Sequence, residues 1–279
     1  MRKLALIILV SQLSGLGLYL QAQPLVEIYL NSRGSESRGP AFKSVEELHE
    51  VLVLGKSKAP SFRVVKQFNA QGKVVSEIKY NSAGGVQNEV RWEYNINGYP
   101  LRKTTHQFIN YKGWVNEEVT LQYNDTTGYL VEINTRIENK LINTAMVNCD
   151  STGRIVEVRM LNEKGELSGI DRLIYVPSNN LIRVLSYKAN DQFIMATAYP
   201  LDPSKPEPKS TLKREFNSHG DVILELLPGS KIGQGYYYEY SYDAFGNWTE
   251  KLTYQCTVTP NGNVKDKKLE HRITRKITY

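Results

Sequence analysis

The stretch 240-YSYDAFGNWTEKLTY-254 places a tight turn, Asp243-Ala244-Phe245-Gly246-Asn247, between two aromatic-rich segments. Its phrase is an aromatic residue, then Asp or Asn, two variable residues and Gly. The same phrase stands at 68-FNAQG-72, 80-YNSAG-84, 94-YNING-98 and 216-FNSHG-220, with looser copies at 123-YNDTTG-128, 149-CDSTG-153, 161-LNEKG-165 and 187-YKAND-191. Asn and Asp bond their own backbone in turns, and Gly supplies positive φ without steric cost. The chain therefore reads as a series of hairpins, and repeats of this kind stack side by side.

Spacing adds a second level. An offset of 93 maps Phe68 onto Leu161, Tyr94 onto Tyr187, Tyr123 onto Phe216 and Cys149 onto Tyr242. The longer intervals also correspond, with 110-NYKGW-114 opposite 202-DPSKPEP-208 and 138-ENK-140 opposite 228-PGSKIGQG-235. This predicts an internal duplication of a unit of several hairpins.

Between turns the residues alternate. Val90, Trp92 and Tyr94 share one face against Glu89, Arg91 and Glu93; Val119, Leu121 and Tyr123 oppose Glu118, Thr120 and Gln122; Val156, Val158 and Met160 oppose Glu157 and Arg159. Period-two alternation predicts antiparallel strands with one buried face. The expected fold is all-β: a long antiparallel meander over 62–279 whose sheet curls until its apolar face is covered. One short helix is expected at 44-SVEELHEVLVLG-55, where Ser44 and Glu47 form a capping box and Gly55 a stop, with a strand through Val51–Leu54 as the alternative. The segment 31-NSRGSESRGP-40 reads as a polar, mobile linker.

The N-terminus has Arg2 and Lys3 before an apolar run from Leu4 to about Leu20, the layout of a secretory signal peptide over 1–22. Export to the periplasm, outer surface or medium is the expectation, with no transmembrane helix after cleavage. Residues 23–61 form an N-terminal segment before the repeats. Removing Arg2 and Lys3 lowers the formal charge from +6 to +4. The basic crowding at 265-KDKKLEHRITRK-276 alternates with apolar residues, as on a solvated strand, so no nucleic-acid partner is expected.

The turn around Tyr242, Asp243, Gly246 and Asn247 resembles the YD repeats of the RHS family. Short secreted proteins of Bacteroides-like bacteria carry similarly degenerate repeats. The other copies keep the aromatic, Asn and Gly and lack the rest of the motif. The resemblance implies a β-meander. Large RHS proteins wind such repeats into a shell around a toxin, and this chain is too short for one. The segment 72-GKVVSEIKY-80 is similar to MORN-type units.

The four histidines, His49, His106, His219 and His271, have no metal-pair spacing, and HExxH, CxxC and GxSxG are absent. Gly55-Lys56-Ser57 ends like a phosphate loop, but Glu50 occupies its first Gly position. No cofactor or metal is expected. Tyr236, Tyr238, Tyr240 and Tyr242 share one face and read as core packing. Trp114 near a hairpin tip and Tyr237 on the opposite face are the candidates for stacking on a ligand. Cys149 and Cys256 both read as inward residues, either bonded to each other, which needs Cα atoms within about 7 Å, or two buried thiols. The leading expectation is an exported, non-catalytic binding or scaffolding surface for a glycan, an envelope component or another exported protein. The alternative is a carbohydrate-active enzyme with paired carboxylates on the open face.

Overall fold

The computed structural model describes residues 37–52, 61–201, 214–227, 233–259 and 261–279. The leader, the first part of the linker, the phosphate-loop-like 55–57 and the segments 202–213 and 228–232 lie outside the described residues. Seventeen antiparallel strands form one sheet. They are β1 (Ser44–Val51), β2 (Ser61–Phe68), β3 (Val74–Tyr80), β4 (Val86–Tyr94), β5 (Pro100–Ile109) and β6 (Gly113–Tyr123). Then come β7 (Leu130–Ile137), β8 (Lys140–Cys149), β9 (Ile155–Asn162), β10 (Leu167–Val176), β11 (Leu181–Lys188) and β12 (Phe193–Pro200). The last are β13 (Arg214–Phe216), β14 (Val222–Leu226), β15 (Gln234–Tyr242), β16 (Trp248–Val258) and β17 (Val264–Thr278). A single 3-10 turn at Pro177–Asn179 joins β10 to β11.

The hairpin turns share one construction. In the opening stretch, Gly246 adopts φ 82° and donates its N–H to Asp243 O, while Asp243 Oδ1 accepts from Phe245 N and Asn247 N, both at 2.9 Å. Asn69, Asn81, Asn95, Asp150, Asn162 and Asn217 bond the same two downstream amides in their own turns. A further copy, 259-TPNGN-263, uses Thr259 Oγ1 in place of the carboxamide, and its lack of an aromatic–Asn pair hid it from sequence reading. At several of these turns a register shift seats the aromatic that precedes the turn, as at Phe68, Tyr94, Tyr123 and Tyr242. These are bulged hairpins built on a Gly in the left-handed region.

Three pairs of strand starts stand 93 residues apart. β3, β5 and β9 begin at 74, 100 and 155, and β10, β12 and β16 begin 93 later, at 167, 193 and 248.

The expected N-terminal helix is corrected: residues 44–51 are a strand. β1 pairs with β2 on one side and with β17 on the other. A central strand satisfies its backbone on both edges, which outweighs a weak local capping box. Glu47, the intended capping residue, instead pairs with Arg275 of β17 at 2.6 Å. Part of the expected mobile linker is pinned as well. Arg38 bonds Asp221 through two guanidinium nitrogens at 2.9 and 2.7 Å, and Arg38 N donates to Asn247 Oδ1.

Pairing runs unbroken from β12 back through β2 to β1, then to β17 and on to β13. No register is described between β12 and β13. Laid flat, seventeen strands would separate these edges by about 77 Å at about 4.8 Å per strand. The chain from Pro200 to Arg214 spans at most about 50 Å. The sheet therefore curls.

Register assigns each side chain to an inner or outer face, because paired residues share a face. On the inner face of β6–β11, Val119, Leu121, Ile133, Ala145, Val147, Val158, Leu173, Ile182 and Val184 form the main core, with Tyr123, Cys149 and Tyr175 packed against it. Val158 and Met160 are inward as expected. Val156 is exposed, and the bulge opposite Cys149 turns Ile155 in instead. The outer face carries cross-strand ion pairs: Arg63–Glu46, Arg102–Glu118, Arg172–Glu157 and Arg272–Glu250.

Candidate functional site

A groove of about 340 Å³ opens on the outer face of β4–β7. Glu89 and Arg91 of β4, Thr104 and His106 of β5, Asn116 and Glu118 of β6 and Arg136 of β7 line it. The register stacks Glu89, His106 and Asn116 in one cross-strand row and Glu118 beside Arg136 in another. Trp114 is two residues from Asn116 on the same face. It is 42% exposed, with its ring 4.3 Å from that of His106 and edge-on to Phe108 at 5.6 Å. The groove thus has an aromatic end and a floor of hydrogen-bonding groups. Its carboxylates are largely engaged: Glu89 with Arg91 at 2.6 Å, and Glu118 with Arg102. Glu138 Oε1 accepts the Asn116 N–H at 2.6 Å. Arg136 forms no ion pair among the described residues.

The second stacking candidate is placed differently. Tyr237 is on the outer face, as its parity requires, but it packs with Leu226 and Val264 against a small satellite core of Leu224, Cys256 and Val258. Lys267 Nζ lies 3.6 Å over its ring. Tyr237 therefore does not offer a free face, and Trp114 alone of the pair remains open. The two cysteines are free thiols on opposite faces of the sheet. Cys149 is inward, with its thiol 3.5 Å from Leu130 O. Cys256 is corrected to the outer face, because the register of β16 sets it opposite Gly235 and in the satellite core. Burial raises both thiol pKa values.

The tyrosine ladder is on the inner face. Tyr238 donates to Glu225, Tyr240 to Val222 O and Tyr242 to Asp221, at 3.2, 3.1 and 2.7 Å. Burial first, and the nearby carboxylates second, lift the hydroxyls of Tyr238 and Tyr240 above the usual tyrosine range. Beside the ladder the fold joins residues that are far apart in sequence. His49 and His271 stack at 5.4 Å across β1 and β17. His49 Nε2 lies 3.1 Å from Glu47, whose other oxygen takes Arg275. Burial opposes ionisation of Glu47, but His49, Arg275 and Lys66 overcome it and hold the carboxyl at about 2. No spacing rule could expose this cluster, because the return of β17 to β1 creates it. The described residues contain no group of three or more His, Cys, Asp or Glu able to hold a metal.

These features define an all-β protein with a two-faced, repeat-like antiparallel sheet. No protein-family model and no curated protein matches the chain. Among solved structures, it is similar to a porin-like protein from Bacteroides uniformis, at 13% identity, 85% coverage of this chain, 97% of that one and a TM-score of 0.42. The TcdB2–TccC3 structure with Cdc42 aligns at 12% identity over 81% of this chain and 16% of the other, with a TM-score of 0.32. A DUF3836 family protein from Parabacteroides distasonis aligns at 20% identity over 38% and 91%, with a TM-score of 0.19. At these scores the likenesses carry no functional argument.

Proposed function

We propose that this is an exported, non-catalytic β-repeat protein of the degenerate YD type, built from a duplicated block, which binds a saccharide of the cell envelope. The observation that carries the reading is the outer groove: a half-exposed tryptophan beside a row of polar groups including His106, Asn116 and Arg136. An aromatic face packs on the apolar side of a sugar ring, and amide, imidazole and guanidinium donors bond its hydroxyls. The outer face supports a water-exposed rather than lipid-embedded sheet, because charged residues facing lipid cost about 2–4 kcal/mol each near the midplane. Among the described residues no helix is long and apolar enough to cross a membrane.

The carbohydrate-active alternative draws on Glu89 and Glu118 of the same groove, since the register of Glu117 with Thr105 turns its carboxyl to the inner face. Hydrolysis by two carboxylates needs one held protonated as acid and one free as base or nucleophile. Glu89 and Glu118 are each tied to arginine, so binding is favoured. An array of glycans and peptidoglycan fragments tests this. Binding that falls at least tenfold in Trp114→Ala, with no release of reducing ends, is the expected result. Cleavage of any bound saccharide would move the assignment to the enzyme, and binding unaffected by Trp114→Ala would remove the groove from it.

A further inference from the structure

The inner face holds a separate cluster of charged and aromatic side chains, on the opposite side of the sheet from the groove. Lys251 of β16 projects inward, opposite Tyr240 on β15 and Ile273 on β17. Its ammonium lies 4.6 Å over the ring of Tyr238 and 5.7 Å over that of Tyr240. Among the described residues it forms no ion pair. Three carboxylates are near enough to act on it, those of Asp221, Glu225 and Glu47. Each already holds an arginine: Asp221 with Arg38, Glu225 with Arg214 and Glu47 with Arg275, at 2.7, 2.6 and 2.6 Å. Each of the three carboxylates is thus engaged by an arginine, and Lys251 has no carboxylate of its own.

A desolvated ammonium without a counter-ion is costly, and protein interiors pair such charges. Burial, with Arg275 adding to it, lowers the Lys251 pKa, and the three distant carboxylates offset only part of that effect. The histidines beside it are also incomplete. His271 Nε2 and His49 Nδ1 are buried with no hydrogen-bond partner. His271 is one register step from Lys251 on the same face and feels its charge. Tyr236, Tyr238 and Tyr240 form an aromatic wall on the other side. Cation and aromatic wall share one inner surface of β15 and β16, with the buried imidazoles of β1 and β17 beside them.

We propose that this surface binds an acidic saccharide, its carboxylate or phosphate group against Lys251 Nζ and its ring against Tyr238 and Tyr240. The anion supplies the counter-charge that Lys251 lacks. The aromatic wall distinguishes a sugar carrier from a bare anion.

Calorimetric titration of the purified protein with glucuronate, glucose 6-phosphate, glucose and inorganic phosphate tests the assignment. The expected result is saturable binding of at least one acidic sugar, at least tenfold tighter than glucose or phosphate and weakened by added salt. Lys251→Met should weaken it at least tenfold, Lys251→Arg should keep it within about threefold, and Trp114→Ala should leave it unchanged. Glucuronate or glucose 6-phosphate as the tighter ligand identifies the anionic group. No binding of either, equal binding of glucose, or equal binding by Lys251→Met would overturn the proposal. Should Lys251→Met fail to fold, the charge-retaining Lys251→Arg, the salt dependence and the glucose comparison still settle the matter. Loss of binding in Trp114→Ala would place the ligand in the outer groove and refute the inner site.

Discussion

Asp171 is the residue at which local pattern and environment conflict most. It is fully buried, 0% exposed, on the inner face of β10 between Val158 and Ser186. Neither carboxyl oxygen reaches hydrogen-bond geometry. Ser186, opposite in register, is near enough to offset only part of the desolvation, which lifts the carboxyl from the ordinary 3.8 to about 6. A raised carboxyl pKa means that the folded state holds the proton more tightly. Its favourable effect is therefore complete below about pH 4 and disappears as pH rises through about 6. Raising the pH from 4 to 7.5 therefore removes about 3 kcal/mol of folding stability. Urea unfolding of Asp171→Asn should accordingly show a gain of about 2 kcal/mol at pH 7.5 and a flatter stability profile between pH 4 and 7. An unchanged pH slope would mean that the carboxyl is solvated. Nothing in 167-LSGIDRLIYV-176 distinguishes Asp171 from an outward charge except its parity with Leu173 and Tyr175.

At the scale of the element, the turns were the most legible part of the chain. Asn or Asp followed by Gly at fixed offsets dictates the bond pattern without help from the rest of the fold. The opening copy does more than turn. Asn247 Oδ1 accepts from Arg38 N, and Asn247 Nδ2 donates to the Tyr279 hydroxyl, which in turn bonds Asp243. Both described ends of the chain are therefore fastened to this turn, and Asn247 is only 3% exposed. The corresponding position in the 150–154 turn is Arg154, whose ion pair with Asp150 is at the surface. Asn247→Ala should cost about 1–3 kcal/mol through orphaned buried partners, and Arg154→Ala under about 1 kcal/mol. Equal losses in denaturant titrations would contradict the knot. By contrast, β1 was illegible because Val45, Leu48 and Leu52 fit a helical stripe as well as a strand. Only the open edges of β2 and β17, fixed by residues far away in sequence, decide between the two.

At the scale of the molecule, alternation revealed that the sheet has two faces but not what each face would hold. Trp114 could be picked out because it stands near a hairpin tip. The groove beside it could not, since Glu89, His106, Asn116 and Arg136 come from four strands aligned by bulge-corrected register. The inner cluster was hidden more deeply, because Lys251, His271 and His49 meet only where β17 returns to β1. Parity also failed at Cys256, where register shifts in β16 move the apparent inward row outward. The account thus rests on two faces with different tasks, and the tryptophans report on them separately. Trp114 is outer, whereas Trp92 and Trp248 are inner, covered by Lys103 and Arg275. The most direct test is a titration of ¹⁵N-labelled protein with a neutral envelope saccharide, following the three indole N–H signals. The account predicts that the Trp114 signal moves saturably while those of Trp92 and Trp248 stay in place; a stationary Trp114 signal, or movement confined to the inner pair, would contradict it.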